Sequence, residues 1–347
     1  MKEGKLVRKV RLEVNGKHHN KHGSTYASTP SREKFLILMH LFAALDCDFY
    51  HIDENRAFLN APKWDQIKTI ARIPGDPSYY EILNALYGLK TSRHDYQEKN
   101  VKRMEQNKFT CLHLCSSIYY KFEAGKLCIA YAHVDDFVSG GTDTTYTLAQ
   151  IKDFRALAST SESSKSPSSL LGYDIERDRD RRLIKVTNVA KINKIVSLFP
   201  HVTKYKRNIP IPTTGYLVND YDFEQIPPAE SAFLTKPDIT LYMQIVGVLI
   251  WIQGVRFDIL FATLYLSWFT QKPRQHHLNM AYYCLGYLST TKELPLVLGG
   301  TSPVSILSNT DASLATGLRR RSIVGSMVAL GLKCESDNFR QHLPLFL

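Results

Sequence analysis

What the chain has least of is long apolar sequence. No stretch reaches the ~18 uninterrupted apolar residues that a membrane-spanning helix needs; the closest, Ile245 to Ile252, is too short and is followed by Gln253. The opening residues MKEGKLVRKVR carry charge with no apolar core behind them, so no secretory signal is expected. A soluble intracellular chain with no membrane partner is the expectation. Cysteine is scarce and unpatterned: six residues, at 47, 111, 115, 128, 284 and 334, include no CxxC pair. That excludes a disulfide framework and fits reduced thiols in the cytosol or nucleus. Cys111, His113 and Cys115 would share one face of a strand, but no fourth ligand accompanies them, and zinc is not expected. Acidic residues are outnumbered too, 33 Asp and Glu against 44 Lys and Arg, and the +11 excess favours a polyanionic partner, with nucleic acid and an anionic membrane surface as the two candidates.

What is present is ordinary globular material. At 347 residues and 44% hydrophobic, the chain is long enough for two or three domains and is neither disordered nor fibrous. Residues 5 to 14, LVRKVRLEVN, alternate as an exposed strand would, ahead of a polar loop holding His18, His19 and His22. Apolar residues at helical spacing predict a helix from Ser31 to Leu45, and Phe49 to Ile52 predicts a buried strand ending at Asp53. A helical region is expected over 81 to 108, interrupted at Gly88. Ser117 to Phe122 and Leu127 to Val134 read as strands around the turn EAGK, and the second runs through Asp135-Asp136 into Phe137-Val138-Ser139, a hairpin with two carboxylates at its tip. Ser159 to Ser169 reads as a loop, 170 to 187 as a hairpin, 188 to 198 as a helix, and 208 to 237 as a long loop. Two helices follow, 241 to 268 and 276 to 290, then two strands, VSILSNTDAS and RRRSIVGSMVALG.

The carboxylates carry the chemistry. Phosphoryl transfer by two divalent ions needs acids that hold both metals about 3.5–4 Å apart. An Asp at the end of one strand, opposite an Asp-Asp hairpin tip, would supply the hard oxygen donors that Mg²⁺ prefers. Asp53, Asp135 and Asp136 are so placed if the two strands are neighbours. Two plainer readings stay open on the residues alone: Asp-Asp is an ordinary turn dipeptide, and Asp53 could cap a helix starting near Arg56.

The same stretches resemble copia-type (Pseudoviridae) LTR retrotransposon polymerases. HIDENRAFLNA at 51 to 61 resembles the D-x-x-x-AFL-N stretch of that family, ALYGLK at 85 to 90 is nearly identical to another of its motifs, and YAHVDDFVSGG at 131 to 141 resembles the reverse-transcriptase Y-V-D-D hairpin. Weaker likenesses are KVRLEVNGK at 9 to 17, LLGYDI at 170 to 175, Tyr242 to Trp251 with RFDILFA, and TDAS at 310 to 313. The resemblance implies an α+β fold, a right-hand polymerase of fingers, palm and thumb followed by a truncated RNase H-like α/β domain. The corresponding domains are 1–158 (fingers and palm), 159–300 (palm end, thumb and a connection-like helical region) and 301–347 (the RNase H-like start). It implies an RNA-directed DNA polymerase that adds dNTPs to a primer 3′-hydroxyl. Asp53, Asp135 and Asp136 would bind two Mg²⁺ ions, with Mn²⁺ as a substitute; Phe58, Arg11, Tyr87 and Gly88 would form the dNTP site, with Phe58 excluding a 2′-hydroxyl and Arg11 over the triphosphate. Partners would be RNA or DNA template-primer, dNTPs and other Gag and Pol products, in a cytoplasmic virus-like particle or the nucleus. Arg93, Lys99, Lys102 and Arg103 form a candidate template contact on one helix, or else a solvated face.

The chain also departs from the family. His133 stands where an aromatic precedes VDD, and Arg93 and Tyr96 stand where a proline and a tryptophan follow ALYGLK. Only Asp311 matches an RNase H acid, and the tail KCESDNFRQHLPLFL follows no family pattern, so that region is expected to be unfinished, with Asp311 vestigial or a plain turn residue. In the family a protease and an integrase precede the polymerase, so the chain is expected to begin inside the fingers. The alternative function is a degenerate, inactive remnant that at most binds nucleic acid.

Overall fold

The computed structural model describes the chain outside residues 1–11, 19–23, 64–67, 114, 158–159, 162, 205, 213–227, 302–303, 318–320, 333–341 and 347, and for most of 304–346 it describes the backbone alone. It is a mixed α+β structure whose strands all pair antiparallel. Two units divide it: Met1–Ser31 with Leu45–Pro167, and Arg32–Ala44 with Ser168–Leu347. The first helix, α1 (Arg32–Ala44), thus belongs to the second unit.

The first unit is built on a six-stranded sheet ordered β4-β5-β6-β7-β1-β8. Its strands are β1 (Asp48–Asp53), β4 (Thr110–Leu112), β5 (Cys115–Glu123), β6 (Lys126–His133), β7 (Asp136–Gly141) and β8 (Ser164–Lys165); β2 (Ile70–Arg72) and β3 (Tyr79–Glu81) form a separate hairpin. Strand alternation aims Tyr50, Ile52, Ala130, Ala132 and Phe137 into one core, together with Met104 from α2 (Ser92–Gln106) and Ile151 and Phe154 from α3 (Thr144–Ala156). The Asp143 carboxylate caps α3 by accepting from the Tyr146 amide at 2.7 Å.

In the second unit β9 (Ser169–Leu170), β10 (Tyr173–Asp178), β11 (Leu183–Thr187) and β12 (Leu296–Gly299) form a sheet in the order β12-β11-β10-β9, with α1 packed on it. Four helices, α4 (Val189–Val196), α6 (Lys236–Ile252), α7 (Leu260–Ser267) and α8 (Gln275–Thr290), share one apolar core; α5 (Pro228–Ser231) is a single turn. The last sheet is β13 (Val304–Gly317), β14 (Arg321–Leu332) and β15 (His342–Phe346).

Four expectations change. The region 81 to 108 is not one helix: it begins in β3, runs irregularly through 91 and becomes helical at Ser92, because its early amides are bonded elsewhere, Ala85 to the Ala61 carbonyl and Leu86 to the Ser92 hydroxyl. The expected loop 159 to 169 contains β8, which pairs Ser164 and Lys165 with His51 and Tyr50. The expected helix 241 to 268 is two, because the chain breaks after Gln253 to bury Arg256, 2% exposed, in bonds to Asp258 and Thr291. Residues 12 to 15 are not a strand, and the rest of that expected strand lies outside the described residues.

Candidate active site

The site grows from one strand pair. β1 and β7 run antiparallel with Ile52 opposite Phe137 and Asp53 opposite Asp136, so the two acids are cross-strand neighbours at the sheet's end. Asp135 occupies the turn between β6 and β7, where Val134 adopts a φ of 60°. The turn is tied to β1 by the Glu54 amide, which donates to the Asp135 carbonyl at 2.9 Å. Beyond Asp53 the strand is held by Ser161: the Asp53 amide donates to its hydroxyl at 3.1 Å, and its amide donates to the Asp53 carbonyl at 2.8 Å. The three acids sit half-buried at one end of the sheet, as the hairpin reading expects.

Two histidines frame them. His51, two residues before Asp53 and so on the same face, places Nε2 2.7 Å from Asp136 Oδ1. His133 stacks its ring on buried Tyr131, with centroids 6.3 Å apart. An imidazole thus sets a flat ring at the base of the hairpin.

Burial, joined by the charges of Asp136 and Asp53, pushes the Asp135 carboxyl above its ordinary range, against the pull of its own amide and of His133. A divalent cation is the natural relief for such crowding, and three carboxylates are the hard donors it takes. Among the described residues, however, no three His, Cys, Asp or Glu side chains converge as a ready metal cage. The three carboxylates match hard divalent ions in donor type and charge, and His51 engages one oxygen of Asp136.

Phe58, in the short 3-10 turn Ala57–Asn60, meets Tyr87 at 5.0 Å and Tyr96 at 5.8 Å between ring centroids. It lines a small open cleft, about 30 Å³ in cavity volume, together with Ser28, Thr29, Arg93, Gln97 and Val134 of the β6–β7 turn. Phe58 and the hairpin therefore border one cleft, and Tyr87 touches it through Phe58. Gly88 has φ +93°, and a Cβ there would lie 1.9 Å from the Val14 carbonyl oxygen; the Val14 amide donates to Tyr87 O at 2.8 Å. Glycine is required by that close backbone crossing. Arg11 lies outside the described residues. Asp311 is not a turn residue: its backbone sits within β13 opposite Gly325.

The proposed template contact on α2 is corrected. Arg103 is 3% exposed and Lys99 largely covered, and both bind Glu54, at 2.9 Å and 2.8 Å. Only Arg93 and Lys102 of that group lie on the surface. Glu54 itself, 1% exposed, went unnoticed in sequence, since a carboxylate beside Asp53 carries no apolar signal of burial. Its partners Tyr96, Lys99 and Arg103, spaced i, i+3 and i+7 on α2, are the only trace the sequence holds.

No family model matches the chain. It is 26% identical over 285 residues, 76% of its length and 83% of the other's, to a protein of Saccharomyces cerevisiae named as a transposon Ty5-1 protein, YCL074W. No helix among the described residues is long and apolar enough to cross a membrane. The chain is thus a distant, retrotransposon-related sequence.

Proposed function

We propose that the chain is the polymerase part of a copia-type retrotransposon reverse transcriptase. The observation that carries this is the register pairing of Asp53 with Asp136, with Asp135 in the adjoining turn. In this reading the six-stranded sheet is the palm, the β2–β3 hairpin belongs to the fingers, helices α4 to α8 supply the thumb, and β13 onward is an RNase H start with Asp311 vestigial. Asp53 and Asp135 would be the main holders of two Mg²⁺ ions, with Asp136 assisting; when bound, the ions would supply Lewis-acid activation of the primer hydroxyl and of the α-phosphate.

The chain's own groups do the rest. His51 fixes Asp136 beside Asp53. The Glu54 amide fixes the turn that presents Asp135. Phe58, held between Tyr87 and Tyr96, forms the wall against which a sugar lacking a 2′-hydroxyl fits, and Arg93 at the cleft suits a phosphate oxygen. The net +11 charge suits a template-primer.

A second reading, an inactive remnant that binds nucleic acid, is favoured by the lack of a ready three-residue metal cage among the described residues. Primer extension on poly-rA with oligo-dT and Mg²⁺ decides between them. Extension by the parent that Asp135→Asn abolishes supports the polymerase; equal extension by both sinks the assignment of the acids, and binding without extension leaves the remnant.

A further inference from the structure

Adjacent residues Asp53 and Glu54 point to opposite faces of the first unit's sheet, as strand alternation requires, and only the first faces the site. Glu54 is turned into the core, where Arg103 Nη2 reaches Oε2 at 2.9 Å, Lys99 Nζ reaches Oε1 at 2.8 Å and the Tyr96 hydroxyl donates to Oε2 at 2.7 Å. The Asn60 amide adds a longer contact at 3.5 Å. All three strong partners come from one helix, α2.

The network does not stop at β1. The Arg103 guanidinium lies 4.1 Å over the Phe154 ring and 5.3 Å from the Phe137 ring, and its Nε and Nη1 have no hydrogen-bond acceptor, as expected of groups laid on aromatic faces. Phe137 follows Asp136 directly and pairs with Ile52 across the strands. One buried arginine therefore touches the residue after Asp53 on β1 and the residue after Asp136 on β7. The Glu54 amide completes the link by donating to the Asp135 carbonyl. Asp53 is thus one covalent step and Asp135 one backbone hydrogen bond from the Glu54–Arg103 pair, and Asp136 is linked to it through Phe137, whose ring Arg103 meets.

Resting on the polymerase reading, we propose that Glu54 is a positioning residue: through Arg103 and Lys99 it sets the spacing of Asp53, Asp135 and Asp136, and so their affinity for divalent cations. A buried ion pair retained for stability alone is replaceable, since apolar side chains of similar volume often stabilise as well or better. One retained for geometry is not, because it holds the backbone from which the carboxylates project, and removing groups that orient metal-binding carboxylates typically changes affinity by about 10- to 100-fold.

The test uses the full chain in four forms: parent, Asp135→Asn, Glu54→Gln, and the triple change Glu54→Leu, Lys99→Leu, Arg103→Met. Mn²⁺ binding is measured by electron paramagnetic resonance alongside thermal unfolding. The proposal expects parent binding lost in Asp135→Asn, and binding weakened on the order of tenfold or more in both Glu54 forms, including the triple form that unfolds at or above the parent temperature. Parent-like Mn²⁺ affinity in a well-folded triple form overturns the positioning role while leaving the polymerase reading intact. Parent binding that Asp135→Asn leaves unchanged, or no binding by the parent, overturns the reading of the acids and the positioning role with it.

Discussion

His51 Nε2 lies 2.7 Å from Asp136 Oδ1, and Asp136 is the cross-strand partner of Asp53. One carboxylate of the cluster therefore has a hydrogen-bonding partner of its own, whereas Asp135, in the turn, is crowded by burial and by the other two acids. That asymmetry makes Asp135 the acid whose removal is most informative.

Asp135→Asn should abolish extension and raise stability near neutral pH without metal. The Asp135 carboxyl is held above its ordinary value in the fold, so its contribution is most favourable below the unfolded value and is lost as pH rises through the folded one. The gain in unfolding temperature should therefore appear above mildly acidic pH and vanish where Asp135 is protonated. Mg²⁺ should raise the unfolding temperature of the parent but not of the variant. Thermal melts over a pH series, with and without Mg²⁺, check both; a variant less stable at every pH sinks the crowding argument.

Arg93 and Arg103 lie ten positions apart on α2 and should behave oppositely. Arg93 is exposed at the cleft, so Arg93→Ala should change stability by no more than about 0.5 kcal/mol. It should raise the dNTP or primer-template requirement by roughly tenfold, the worth of one charged hydrogen bond. Arg103→Met strands the buried Glu54 carboxylate and should cost about 3–5 kcal/mol. Denaturant unfolding of the two variants separates them, and equal stability losses would contradict the burial.

Much of this was legible in the sequence because period-two alternation and aromatic content announce β1, β6 and β7, and Asp53, Asp135 and Asp136 fall at their ends. The motif residues Phe58, Tyr87 and Gly88 were legible as a group, but not the reason for Gly88, which is the backbone of Val14 more than seventy residues away. Glu54 was hidden because burial of a charge is decided by partners 42 to 49 positions on. β8 was hidden because Ser164 and Lys165 have no strand preference of their own and pair only because β1 offers a free edge.

Gly88→Ala should destabilise the first unit by more than the roughly 1–3 kcal/mol of a strained backbone, since the added carbon meets Val14 carbonyl oxygen. Gly88→Asn supplies the control. Asparagine tolerates positive φ better than alanine, so strain alone would let it recover stability, whereas the steric crossing would not. Chemical denaturation of both variants checks this, and an Asn variant close to the parent would remove the crossing from the account.

In the second unit His277 is 1% exposed at the third position of α8. Its Nδ1 accepts from the Arg274 amide at 2.9 Å while its ring stacks on Phe269 at 3.8 Å. The accepting role requires an unprotonated Nδ1. Burial, then His276 and Arg274, push it down to about 2 from an ordinary 6.5. A histidine whose folded value is depressed contributes stability present above the unfolded value and lost as pH falls toward the folded one. Acidification below about pH 6.5 should thus erode stability by on the order of 1 kcal/mol per pH unit from this group. His277→Gln keeps a carbonyl acceptor, the usual partner in such a cap, and cannot be protonated in this range. Its melting temperature should fall less steeply than the parent's between pH 6.5 and 4; parallel pH profiles would show that His277 does not couple folding to protons.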